Sequence, residues 1–377
     1  MKPTLICLAL LAAPLIAAAQ VPPTPPTPPV PPTPPSSSEW RDYGDAWKDW
    51  AKNYSKAMKD YAKDFDEKFA EVDDQDEKYD RKLEHKYEHT YDRDRDSDNE
   101  RDDQDGETID TTVAFSGSGG IVDLGIISGT ITVRGWSRNE AKIHATSEEG
   151  RVEFEHSANR ILLDVRQHHD GDSEFDITVP FGTRVLMRST SGDLHSEGVK
   201  GPIEVRTVSG EVRVGDVVGD AVIEGVSGDI GVRNVEGNLR VNCVSGEIEL
   251  SAVHGDVDAS TVSGDISLPN GRSRIVRMES VSGNLTYGGP VAGDGRYDFH
   301  SHSGDVTLHV PPDIGASLAM ETFSGSIESE FRITITTDTN GHHGSGQHIE
   351  TTLGHGGAHI QIETFSGDIR LEHLSSQ

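Results

Sequence analysis

Cysteine is nearly missing from this chain. Its 377 residues hold two, Cys7 and Cys243. Cys7 falls in the expected leader, so no intramolecular disulfide can staple the mature chain. Aromatics make up 6% and hydrophobics 33%. That is low for one large globular core, but it suits a fold that buries a narrow strip per repeating unit. Positive charge is scarce as well: 34 Lys and Arg stand against 64 Asp and Glu, a net charge of −30. This balance argues against nucleic-acid binding, which needs a basic face, and against an anionic membrane surface. No transmembrane segment is expected in the mature chain, because the apolar run near the start is too short to span a bilayer. There is no Ser/His/Asp order, no phosphate-cradling Gly loop and no Cys pair. No catalytic, cofactor-binding or metal-ligating residue is therefore assigned.

Glycine is abundant and periodic. Gly192, Gly201, Gly210, Gly219, Gly228, Gly237, Gly246, Gly255 and Gly264 stand nine residues apart. A short strict period builds a stack of like units. Two residues after each glycine comes an apolar residue, as in Ile203, Val212 and Ile230, and usually another at four, as in Val205, Val214 and Val232. That period of two predicts a strand with one buried face. A third column, seven residues on, is Val199, Val208, Val217, Val226, Val235, Val244, Val253 and Val262, read as an inward valine between two bends. Ser precedes every second glycine, so the coil has eighteen residues in two unlike halves. Stacked in parallel at ~4.8 Å per rung, the columns become ladders. The expected fold is all-β: one parallel, right-handed β-solenoid over 114–374. The beat lengthens after Gly264, and the gap from Gly325 to Gly367 holds a double coil or an insertion. Ile127–Val133 is an early copy. The stretch 142–188 reads as less regular strands on the same stack. The calcium nonapeptide G-G-x-G-x-D-x-U-x and a six-residue helix both fail to fit.

The N-terminal third is different material. Residues 1–19 read as a secretory signal: Lys2, an apolar run from Leu5 to Ile16, then Ala17-Ala18-Ala19. Residues 20–38 are a Pro-rich polyproline II linker, ten of the fifteen residues 21–35 being proline. Over 39–92 an aromatic stripe steps by three and four: Trp40, Tyr43, Trp47, Trp50, Tyr54, Ala57 and Tyr61, continued loosely by Phe65, Phe69, Val72, Tyr79, Leu83, Tyr87 and Tyr91. The spacing predicts a long amphipathic charged helix. It has three readings: self-association as a coiled coil, a cap on the solenoid end, or docking to a partner or envelope surface. Residues 93–113 are an acidic disordered linker. Asp94, Asp96, Asp98 and Asp105 there echo an EF-hand only faintly.

Two clusters invite chemistry. An acid follows each Ser-Gly bend: Asp193, Glu211, Asp229, Glu247, Asp265, then Asn284 and Asp305. The ladder could bind divalent cations, but acids also suit bends and keep the edge soluble, and that reading is preferred. His342, His343, His348, His355 and His359 match no closed metal site. Cys243 reads as an inert small side chain.

Phe175-Asp176-Ile177-Thr178-Val179-Pro180-Phe181-Gly182-Thr183, then Ser191-Gly192-Asp193-Leu194 and the serial Val-Ser-Gly-Asp-Ile copies, resemble the bacterial "putative adhesin" family of β-strand repeats of unknown function. Ile127–Trp136 is similar to that family's opening strands. The resemblance covers 115–373. It implies a parallel β-helix at the cell envelope and brings no catalytic residues. The resulting expectation is an exported, non-catalytic adhesin-like or scaffold protein of the periplasm or cell surface. Its partner would be an envelope or surface polysaccharide or protein. The alternatives are a polysaccharide-active enzyme with its site near 331–362, and an envelope-stress regulatory protein.

Overall fold

The computed structural model describes residues 106–115, 119–166, 171–332 and 347–374. The expected signal, the Pro-rich linker, the aromatic segment 39–92, residues 93–105 of the acidic linker, and His342 and His343 lie outside the described residues. Residues 107–113, expected as disordered linker, instead belong to a strand paired with 141–147. The described residues are all β, with no helix among them.

The middle of the chain is regular. Each nine-residue half forms one strand. The halves are β8 (Ile203–Ser209), β9 (Val212–Val218), β10 (Ala221–Ser227), β11 (Ile230–Glu236), β12 (Leu239–Ser245), β13 (Ile248–Val253), β14 (Val257–Ser263) and β15 (Ile266–Leu268). Longer coils follow: β16 (Ile275–Ser282) with β17 (Leu285–Gly288), and β18 (Arg296–Ser303) with β19 (Val306–Val310). Pairing is parallel and skips one strand: β8–β10–β12–β14–β16–β18 makes sheet 1 and β9–β11–β13–β15–β17–β19 makes sheet 2. Ala221 opposes Ile203 and Leu239, so the register is the expected eighteen residues. The apolar ladders of both sheets meet in one core, with Val205, Val212, Ile223, Val241 and Ile248 all inaccessible to solvent.

The two halves differ more than the sequence suggests. Val199, Val217, Val235 and Val253 point inward as expected, at 1% exposure or less. Their counterparts Val208, Val226, Val244 and Val262 point outward, a correction to the expected inward column. The cause is a stacked kink in sheet 2. Asp216, Asn234 and Ala252 all have φ near +50°, which skips one step of the in-out alternation and returns the next valine to the core. Sheet 1 has no such residue, so its alternation runs on and its valine faces out.

The ends depart from simple stacking. At the start lie β1 (Glu107–Ala114), β2 (Ile121–Trp136), β3 (Glu140–Ser147), β4 (Arg151–His156), β5 (Arg160–Arg166), β6 (Ser173–Pro180) and β7 (Arg184–Glu197). Here β2 and β7 run through both sheets. Rung β2 lies between the later rungs β5/β6 and β7, parallel to each. At the other end come β20 (Ala316–Ser324), β21 (Ile327–Ser329), β22 (Gln347–Leu353), β23 (Ala358–Ser366) and β24 (Ile369–His373). The last rung, β23/β24, slots between β18/β19 and β20/β21. Antiparallel strands cover the outer rungs: β4 on β5, β3 on β6 with β1 beyond it, and β22 on β20. The stack is thus mostly, not wholly, parallel, and its exposed edges are blunted. The gap from Gly325 to Gly367 holds β22, β23 and residues outside the described set.

Candidate functional site

Sheet 2 carries a groove of about 950 Å3 on its outer face, over β2, β7, β9, β11 and β13. Outward residues stand in register there. His195 neighbours Thr132 and Arg213, and Arg213 neighbours Gly231, which precedes Glu249. Two glycines shape the floor. Gly231 has almost open space above it, the nearest atoms to a built Cβ being 3.9 Å away. Over Gly215, Arg233 Nη2 donates to both Glu197 carboxylate oxygens at 2.7 Å. The other two arginines are also paired: Arg134 with Asp176 at 2.6 Å, and Arg213 Nε with Glu211 at 2.6 Å. Burial, with a hydrogen bond to Asp216, raises the Glu197 carboxyl above its ordinary range despite Arg233. Hydrogen bonds accepted from Asn234 and Glu197 lower Asp216. This is a surface of repeated donors and acceptors with its arginines held in ion pairs. It can hold a polar, extended ligand rung by rung.

The acid ladder has a structural task. Asp193 Oδ1 accepts the Glu211 N–H at 2.8 Å, and Asp229 Oδ1 accepts that of Glu247 at 2.9 Å. Asp265 serves Asn284, Asn284 serves Asp305, and Asp305 serves Asp368. Each of these short carboxylates or amides caps a bend one rung away, while Glu211 instead pairs with Arg213. Among the described residues no group of three or more His, Cys, Asp or Glu could hold a metal ion. Cys243 is buried, and burial pushes its thiol up to about 11, so it is inert at neutral pH. His355 and His359 are exposed.

One row escaped sequence reading. On sheet 1, His300, Glu363, Glu321 and His348 come from adjacent strands β18, β23, β20 and β22 in register. His300 Nδ1 lies 3.3 Å from Glu363, and His348 Nδ1 lies 3.5 Å from Glu321. The only signal would have been the rung order, which places residue 363 between 300 and 321. The rest of that face is charge-paired, as in Arg206 with Glu204 at 2.6 Å and Glu224 at 3.0 Å, and Arg188 with Asp123 at 2.8 Å.

Residues 81–289 match the family model for Toastrack DUF4097. The chain belongs to the Toastrack DUF4097 family. That span takes in the regular coils β8–β17 and the whole groove. No curated protein matches this Toastrack chain. Among solved structures it is similar to a "putative cell adhesion protein" from Clostridium sporogenes ATCC 15579. The likeness has 11% identity, covers 71% of this chain and 99% of that one, and has a TM-score of 0.18.

Proposed function

We propose that this Toastrack protein is an exported, non-catalytic binding and scaffolding protein of the cell envelope, with the sheet 2 groove as its contact surface. The observation that carries this is the groove's makeup. Its arginines are held in ion pairs such as Arg233–Glu197 and Arg134–Asp176, and its outward side chains repeat at ~4.8 Å per rung. Such a surface suits many weak polar contacts that become strong by avidity. The ligand class it fits best is an extended surface or cell-wall polysaccharide, read through hydroxyl groups by Arg, Glu, His and Thr side chains. The coils wind right-handed, as parallel crossovers favour, and the solenoid is displayed beyond a Pro-rich spacer and a helical segment. The test is retention of the purified protein on cell-wall and surface polysaccharides, with product analysis. Retention without cleavage, weakened by Arg233→Ala, is expected. Reproducible cleavage products would overturn the non-catalytic reading.

A further inference from the structure

Sheet 1 has an apolar ridge along its edge. The outward column runs Ile127, Thr190, Val208, Val226, Val244, Val262, Val281, His302, Phe365 and Phe323, one residue per rung. Val226, Val244 and Val262 form a hydrophobic cluster separate from the main core. Farther along, the His302, Phe365 and Phe323 rings stack with centroids 4.9 Å apart and planes within 12°. Exposed serines flank the column on one side, as at Ser209, Ser227 and Ser245, and buried small residues such as Thr207 and Cys243 on the other. Val244 is buried and Val208, Val226, Val262, Phe323 and Phe365 are partly exposed, and so long an apolar strip at the surface of a protein marks an interaction site.

We infer that this ridge is the docking site for the chain's own aromatic segment, residues 40–69. Three observations select this occupant. The first is payload. Three of the four tryptophans, Trp40, Trp47 and Trp50, and six of the eight tyrosines lie in 39–92, on a stripe that a single helix cannot bury by itself. The second is length. Ten rungs make nine steps, ~43 Å at ~4.8 Å each. A helix from Trp40 to Phe69 rises ~43 Å at ~1.5 Å per residue. The third is charge. Residues 40–69 carry seven Lys and Arg against seven Asp and Glu, so the segment is neutral in a chain of net −30 and meets the acidic solenoid without net like-charge repulsion. Lys48, Lys52, Lys56, Lys59 and Lys63 fall on the helix side opposite the aromatics, where a docked helix meets water.

The tether sets the direction. β1 belongs to the Ile127 end of the stack, through β3 and β6. The fourteen residues 93–106 span at most ~46 Å. If Trp40 lay at the Ile127 end, a helix continuing to residue 92 would finish ~76 Å from β1, beyond reach. Trp40 therefore lies toward Phe323 and Phe69 toward Ile127. At the Ile127 end both sheets are already covered, by β3 and β4, and at the other end β22 covers sheet 1, so the rungs beside the ridge offer the segment no free edge there. The tether makes the contact intramolecular, at millimolar effective concentration, and the sheet 2 groove on the opposite face stays open.

The test uses the full chain carrying Trp136→Phe, so that the remaining tryptophans all report on the segment. Acrylamide quenching is expected to be several-fold weaker in the native protein than in urea. Val226→Glu with Val244→Glu and Val262→Glu should restore strong quenching while the β circular dichroism signal persists. Should that variant fail to fold, Tyr54→Glu with Tyr61→Glu alters only the segment and should give the same rise. Cysteines replacing Asp45 and Ser303 should crosslink, and cysteines replacing Asp45 and Ser209 should not. Unshielded native tryptophans, quenching indifferent to both variants, shielding that fades on dilution as a dimer dissociates, or the opposite crosslink would each overturn the assignment.

Discussion

Arg233 reaches back two rungs to Glu197, passing over Gly215 to place Nη2 at 2.7 Å from both carboxylate oxygens. The bridge depends on an absent side chain. A Cβ at Gly215 would lie 2.6 Å from Glu197 Oε2 and 3.0 Å from Arg233 Nε. Both partners are about half exposed, at 60% and 47%, so the pair contributes only ~0.2–1 kcal/mol to stability. Its value lies in the shape of the groove. Gly215→Val and Arg233→Ala should leave the melting temperature nearly unchanged and weaken polysaccharide retention. An equal loss from Arg240→Ala, on the opposite face, would show that the groove is not the contact surface.

The bend glycines are needed for more than their backbone angles. Gly228 has φ +120°, and a Cβ there would sit 2.1 Å from the Gly210 carbonyl oxygen. Gly237 has no positive φ, yet its Cβ would meet the Gly219 oxygen at 2.2 Å. Neighbouring rungs touch through bare backbone, so the obstruction cannot move aside. Gly228→Val should cost about 3 kcal/mol or more, from a strained conformation and a backbone clash together. Asp229→Asn keeps the Oδ1 that accepts the Glu247 N–H and should stay within ~0.5 kcal/mol of the parent. Asp229→Ala removes that acceptor and should cost ~1 kcal/mol. Urea midpoints of the three variants check this order.

Ala252 occupies the left-handed kink at φ +51°, where the equivalent positions hold Asp216 and Asn234. Alanine is strained there by ~1 kcal/mol, whereas Asn tolerates the conformation. Ala252→Asn should therefore stabilise the protein by ~0.5–1 kcal/mol, read as a higher urea midpoint. A fall would mean that the kink in β13 is held by something other than its own backbone preference.

The nine-residue beat made the two-strand coil and its register legible, because Gly228 and Gly246 mark equivalent points whatever lies between them. It did not reveal the direction of Val226. The kink that turns Val217 inward sits on Asp216, Asn234 and Ala252, three unlike residues with no shared pattern. The rung order was also hidden. Ile360 packs between Tyr297 and Leu318, but a β ladder forms between any two apolar strands of matching register, so sequence order suggests the wrong neighbours. For the same reason the row His300, Glu363, Glu321 and His348 was illegible, while the acid ladder was legible because the residue after each Ser-Gly bend recurs with the coil, and Asp193, Asp229 and Asp265 each cap the next bend.

That row makes stability depend on pH in two opposing ways. At Glu321 burial raises the carboxyl, and the charge of Glu363 adds to it, outweighing the pull of His348. A raised carboxyl contributes stability that is complete below the ordinary Glu range and lost as pH rises through the folded value. At Glu363 burial also pulls upward, but the hydrogen bond and charge of His300, with a hydrogen bond from Gln361, carry it below the ordinary range. Its stabilisation is present above that range and lost as pH falls through the folded value. Glu279 and Glu350 are the other acids beside the two histidines. Glu321→Gln should raise the melting temperature at pH 7, and Glu363→Gln should lower it. Both differences should shrink in mild acid. Melting curves from pH 4 to 8 test the signs, and the same sign for both variants would contradict the assignment.

The last rung is the one the stack can least spare. β23 and β24 have parallel partners on both sides, β18 and β20 for one and β19 and β21 for the other. Ile360, Ile362, Ile369 and Leu371 are all fully buried. Burying four such side chains contributes ~6–12 kcal/mol at ~1.5–3 kcal/mol each, comparable with the whole stability of a typical domain, ~5–15 kcal/mol. Removing an ordinary terminal rung of a solenoid strips one interface and leaves the remainder intact. Ending this chain after Gly357 instead strips two interfaces and leaves β20/β21 beside a vacant slot. Amides of β18–β22 should lose hydrogen-exchange protection together in the truncated protein, while those of β8–β14 keep theirs. If β20 and β21 instead closed onto β18 and β19, protection there would persist and the out-of-order rung would be dispensable.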